Sequence, residues 1–225
     1  MIGVIGVIAA LGPVLALALA APAATPVPPP RPAPPALAVA VAPAPLPGPG
    51  EIVCRDPRLM GDPRPAVIDI GEHACGIIEP VRVGSVAGMR LEPAILVGCP
   101  TARRLADWLD GVVRGEALEH LQARIAVIRT KGSYACRSQN HVAGGRRSEH
   151  ARGRAVDIGG FTLTDGREVT LTRDWGDDTA GAFLRRVWGK ACGPFATVLG
   201  PDADRHHRDH FHLDTAPRGG EPHCR

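Results

Sequence analysis

The sequence predicts an α+β domain, a small antiparallel sheet flanked by helices and stapled by disulfides. Short β-branched runs are interleaved with two stretches whose apolar residues recur at helical spacing, in the order helix, strands, helix, strand. Six cysteines, all beyond residue 50, include no C-x-x-C pair, so they read as three disulfides and not as a zinc ribbon or a redox centre. At 225 residues the chain has room for one good core, to which its first fifty residues contribute nothing.

Residues 1–20 are an uncharged apolar run ending in Ala18, Leu19 and Ala20, the A-x-A pattern of a cleaved signal peptide. The run is also close to the roughly 20 residues of an uncleaved anchor, which would tether the protein to a membrane. Residues 21–50 hold about half of the 23 prolines, with Arg31 the only charge, and read as an extended, disordered tether. Residues 51–92 are rich in turn formers such as Asp56-Pro57 and Gly61-Asp62-Pro63, and predict an irregular N-terminal wrap pinned by Cys54 and Cys75. The main folded region is then residues 93–225.

Within that region Thr101 is placed to cap a helix whose Ala102, Leu105, Trp108, Leu109, Val112 and Val113 share a face. Residues 124–129 predict a strand, Lys131-Gly132 a turn and residues 133–137 a second strand. Residues 155–158 and 210–214 read as short strands, and residues 179–190 as a helix with Phe183, Leu184, Val187 and Trp188 on one side. Lys and Arg number 26 against 23 acids, interspersed without blocks, which gives no support to nucleic-acid binding.

Chemistry concentrates in two places. His150 and Asp157 are seven residues apart with Gly153 between them, so a loop ligand and a strand ligand can converge. Downstream, four histidines fall within residues 206–212, and in a strand His210 and His212 share a face. Zinc accepts imidazole nitrogen and carboxylate oxygen at about 2.0 to 2.2 Å, and a catalytic site keeps three protein ligands. A histidine-rich tract that binds metal adventitiously, without catalysis, is the bland reading of the same residues.

The run Ser148-x-His150-x-x-Gly153-x-Ala155-x-Asp157 fills every fixed position of a signature. It resembles that of the zinc D-alanyl-D-alanine carboxypeptidases (VanY-like) and the penicillin-insensitive murein endopeptidases. The region from Cys99 to Cys224, with Tyr134-x-Cys136-Arg137 and Asp209-His210-Phe211-His212-Leu213-Asp214, is similar to the bacterial extensin-like C-terminal domain. The resemblance implies a zinc D,D-peptidase (hedgehog/D,D-peptidase-like) fold and one Zn²⁺ per chain, held by His150, Asp157 and His212. It implies Asp209 as general base with His210 stabilising the tetrahedral intermediate, or His210 as the base in its place, His207 as a supporting residue, and Arg137 as the group facing a substrate carbonyl or carboxylate. Asp209 departs from the glutamate of the carboxypeptidases by one methylene. Ser148 is a candidate substrate contact, although a turn or cap role suits it better. The implied function is an exported, periplasmic or cell-envelope zinc peptidase acting on peptidoglycan stem peptides or cross-links. The rival readings are a non-catalytic wall-binding module and an envelope metal-binding protein.

Overall fold

The structure, a computed structural model, describes residues 50–68 and 75–225. The expected signal or anchor over residues 1–20, and all of the expected tether except Gly50, lie outside the described residues. Among those described, no helix is long and apolar enough to cross a membrane.

Residues 51–92 are not an irregular wrap. They contribute strands β1 (Glu51–Ile52), β2 (Leu59–Pro63), β3 (Val67–Ile68), β4 (Gly76–Ile77) and β5 (Pro80–Val86), and begin β6 (Met89–Gly98). Turn-forming residues dominate the sequence there because the strands are short, but alternation survives inside them. In β6, Met89 and Leu91 face the core while Arg90 and Glu92 face solvent. β3 pairs only with β4, as a separate ribbon.

From β6 the chain enters a continuous helical stretch: α1 (Cys99–Trp108), a π-helical turn (Leu109–Val113) and α2 (Arg114–Leu121). Its cap is Gly98, with Pro100 in the first turn, and not Thr101. Thr101 instead lies buried in the first turn, its Oγ1 2.9 Å from Thr215 Oγ1. The predicted apolar face is buried except for half-buried Val112, with Trp108 donating from Nε1 to the Val187 carbonyl.

That helical crossover returns the chain parallel to β6 in β7 (Ile125–Gly132). Lys131 and Gly132 are therefore strand, not turn, and residues 133–137 form no strand. β8 (Ala155–Leu163), β9 (Glu168–Thr170), α3 (Leu171–Asp174), α4 (Ala180–Ala191), β10 (Thr197–Leu199), β11 (Phe211–Asp214) and β12 (His223–Cys224) complete the described elements.

The main sheet is larger than the small one expected. Ten strands run β1-β2-β5-β6-β7-β8-β11-β10-β12, with β9 on β8, and most pairs are antiparallel. The extra width comes from β1, β2 and β5, which add to the edge of β6. Apolar side chains from the sheet, α1, α2 and α4 make one continuous core that includes Trp108, Phe161, Phe183 and Phe211. Three disulfides, Cys54–Cys99, Cys75–Cys136 and Cys192–Cys224, resolve the connectivity that the sequence left open.

Candidate metal centre

The register of β8 and β11 builds the centre. His212 pairs directly opposite Asp157, so the two side chains rise from adjacent strands on one face. His150 comes from a 3-10 turn (Glu149–Arg152) just before β8, closed by Gly153 at φ 62°. This is the turn that Gly153 was expected to permit. Ser148 sits at the turn's cap, its hydroxyl accepting from the His150 amide at 3.3 Å. It lies on the cleft lining but is buried, so its visible work is the cap.

His150 Nε2 lies 3.1 Å from Asp157 Oδ2 and 3.2 Å from His212 Nδ1, which is 2.9 Å from Asp157 Oδ1. Ligand atoms of these three residues all fall within 4.8 Å of one another. Donors about 2.1 Å from a shared tetrahedral centre would sit about 3.4 Å apart, so modest relaxation fits this set to zinc. The outer nitrogens are also committed. His150 Nδ1–H donates to the Ser133 carbonyl at 2.6 Å, which leaves the Nε2 lone pair facing inward. His212 Nε2 lies 3.6 Å from Asp214 Oδ2. Such outer partners fix ring orientation and raise ligand basicity.

The charges agree. Burial pushes the Asp157 carboxyl up, but bonds from His150 and His212 outweigh it and hold the group well below the ordinary carboxylate range. Burial pushes the His212 imidazole down, yet Asp157 and Asp214 lift it to about 9. A carboxylate set between two imidazoles in this way is a donor set that could hold a divalent cation in place of the proton. A second grouping, Glu116, Glu119 and His120 on α2, fits a cation less well. Lys190 and Arg186 already pair with Glu116 there.

The two candidate bases are placed differently. Asp209 Oδ2 accepts from Lys131 Nζ at 2.9 Å, and its Oδ1 is 2.8 Å from His210 Nδ1. Those two bonds hold the Asp209 carboxyl below its usual range. His210 Nε2 points the other way and lies 3.7 Å from Asp157 Oδ1. His207 is buried beside them, its ring centroid 5.3 Å from that of His210 and 5.8 Å from that of His212. Burial pushes its imidazole down, partly offset by Asp204 at 2.8 Å. Arg137 lines the cleft, Nη1 donating to the Ser138 carbonyl at 3.3 Å.

The cleft over the centre has a volume of about 610 Å³. It brings together all the residues singled out in the sequence except Asp209, which stands behind His210. Sequence reasoning missed Lys131, Asp214 and the Ser133 carbonyl. Asp214 was findable, since two residues beyond His212 on a strand is the same face; Lys131 was hidden by reading its segment as a turn.

Residues 60–225 match the family profile of the extensin-like protein C-terminus. The chain belongs to this family. No curated protein and no solved structure matches it significantly. The extensin-like region begins well before residue 93, in keeping with β2 and β5 being part of the same sheet as the candidate site.

Proposed function

We propose that this extensin-like protein is an exported zinc peptidase that hydrolyses peptide bonds in peptidoglycan stem peptides or cross-links. The observation that carries the reading is the convergence of His150 Nε2, Asp157 and His212 Nδ1 on one point, each imidazole braced from behind, at the floor of an open cleft. The resemblance of Ser148 to Asp157 to the VanY-like signature supplies the substrate class. Three disulfides suit an oxidising compartment.

Zinc at such a site would supply Lewis acidity and would lower the pKa of a water toward neutrality. Asp157 and the two imidazoles would hold the cation. His210 Nε2, which faces the centre, would take the proton from the attacking water. Asp209, anchored by Lys131, holds the His210 ring in that tautomer, so it acts as a positioning residue and not as the base. Arg137 is within the cleft to steady a developing oxyanion or a carboxylate.

The test is incubation of the zinc-loaded full chain with purified muropeptides, with and without chelator, and product identification by mass. Chelator-sensitive cleavage is expected. His150→Ala should lose both zinc and cleavage. His210→Ala should keep zinc and lose roughly 10² to 10⁴-fold in turnover, with a smaller loss for Asp209→Ala. Zinc-loaded protein that binds muropeptides without cleaving them would instead identify a wall-binding module.

A further inference from the structure

The chain as a whole is nearly balanced, with 26 basic residues against 23 acids, but the cleft is not. Its lining holds five arginines and seven histidines against four carboxylates. Each of those acids is engaged. Asp157 and Asp214 face the ligand imidazoles, Asp204 pairs with His207, and Glu149 lies 3.6 to 3.8 Å from Arg146, Arg152 and Arg154. Among the described residues no carboxylate pairs with Arg137 or Arg218.

These two arginines stand on different flanks. In the sheet, β8 and β11 carry the centre, β7 lies beyond β8, and β10 and β12 lie beyond β11. Arg137 is on the segment that leaves β7. Arg218 belongs to the other flank, donating from Nε at 3.1 Å and from Nη2 at 2.6 Å to the Thr197 hydroxyl on β10. Thr197 is buried, directly opposite Asp214 of β11 in the sheet register. Arg225 lines the same flank. Its amide donates to the Val198 carbonyl at 2.9 Å, next to the Cys192–Cys224 bridge. An arginine kept only for solubility has no need of two bonds to a buried threonine in a cleft wall. Held in this way, with no acid to neutralise it, a guanidinium is preorganised for a carboxylate.

We propose that the cleft takes a peptide with at least two carboxylates, one on each side of the metal centre, and that Arg218 anchors the side opposite Arg137. The choice of a peptide rests on the peptidase reading; the two-sided demand for negative charge rests on the arginines. A peptide neutral on either side would forgo one charge-assisted bond to a guanidinium that no acid of the cleft satisfies.

A labelled peptide carrying a free carboxylate at each end, and its two mono-amides, would be titrated by fluorescence anisotropy into the chelator-treated full chain. The variants are Arg137→Gln and Arg218→Gln, with Arg225→Gln as a second probe of the same wall and thermal unfolding as the check on folding. Each substitution should weaken the diacid about tenfold, and amidating one end should abolish the effect of one variant while sparing the other. Affinity indifferent to amidation at either end would overturn the proposal. So would equal affinity for a single-stranded oligonucleotide of the same charge, which would indicate an unspecific cationic field. Diacid selectivity without hydrolysis in the zinc-loaded protein would defeat the peptidase reading alone; hydrolysis indifferent to both amidations and to Arg218→Gln would defeat this proposal alone.

Discussion

Gly132 faces Asp157 across β7 and β8, and a Cβ built on it would lie only 2.4 Å from Asp157 Oδ2. Its backbone is ordinary extended chain, so the need for glycine here is one of space and not of conformation. Gly132→Ala should leave the fold intact but turn the Asp157 carboxylate out of line with His150 and His212. Losing a ligand's orientation is comparable to losing an outer partner, which typically costs about 10 to 100-fold in metal affinity. Competition against a zinc indicator, with circular dichroism as the control, reads this directly. Wild-type affinity in the alanine variant would mean that the carboxylate has another way in. The sequence placed Gly132 in a turn because Lys-Gly is a turn signal. Register shifts along β7 let the strand run through it.

Among the elements, the loop between β1 and β2 is fastened to α1 by charge as well as by the Cys54–Cys99 bridge. Arg58 donates to Asp56 at 3.0 Å from Nε and 2.6 Å from Nη2, and to Asp107 on α1 at 2.8 Å. The Arg58 bond is the largest influence on Asp56 and holds its carboxyl below the usual value, against a smaller push upward from burial. A carboxyl depressed in the folded state stabilises above the unfolded pKa of about 3.9, and that contribution is lost as pH falls through the folded value. Asp56→Asn should therefore destabilise by about 1 to 3 kcal/mol at pH 7, with the difference shrinking as the pH is taken below 4. Urea unfolding of both proteins at pH 7 and pH 3 measures it, and a difference unchanged by pH would refute the account. Helix periodicity predicted the buried faces of α1 and α4 because 3.6-residue spacing is written locally. The end of a strand is not, and residues 133–137 show why. Ser133 and Tyr134 still bond to Leu96 on β6, but Ala135 and Arg137 bond to His150 and Ser148 around the 3-10 turn, so no regular ladder continues.

At the scale of the molecule, the three bridges tie segments 45, 61 and 32 residues apart in sequence. Two of them serve the cleft. Cys75–Cys136 holds the segment that bears Arg137, and Cys192–Cys224 holds β12 beside β10. Peptide mapping of the unreduced protein should return these three pairs, and thiol titration of the denatured, unreduced chain should find no free thiol. Serine at Cys192 and Cys224 should lower stability by about 2 to 5 kcal/mol and weaken anionic ligands, because the Arg225 wall loses its tie. A double serine variant with unaltered diacid affinity would separate that wall from recognition.

The candidate site was legible because its residues lie in two short runs whose chemistry is local: His150, Gly153 and Asp157 from one turn into β8, and His210 and His212 at the start of β11. An even cysteine count, the amphipathic helices and the α+β class were legible for the same reason. What the tertiary structure alone decided was who stands beside whom. The pairing of His212 with Asp157, the brace of Asp214, the Lys131–Asp209–His210 chain and the guanidinium of Arg218 all join residues from separate strands and loops. Sheet width was decided there too, since β5 adds to β6, β2 to β5 and β1 to β2. Local propensity encodes an element's face, but the partner across the sheet is chosen by register, and register is a property of the whole packed core.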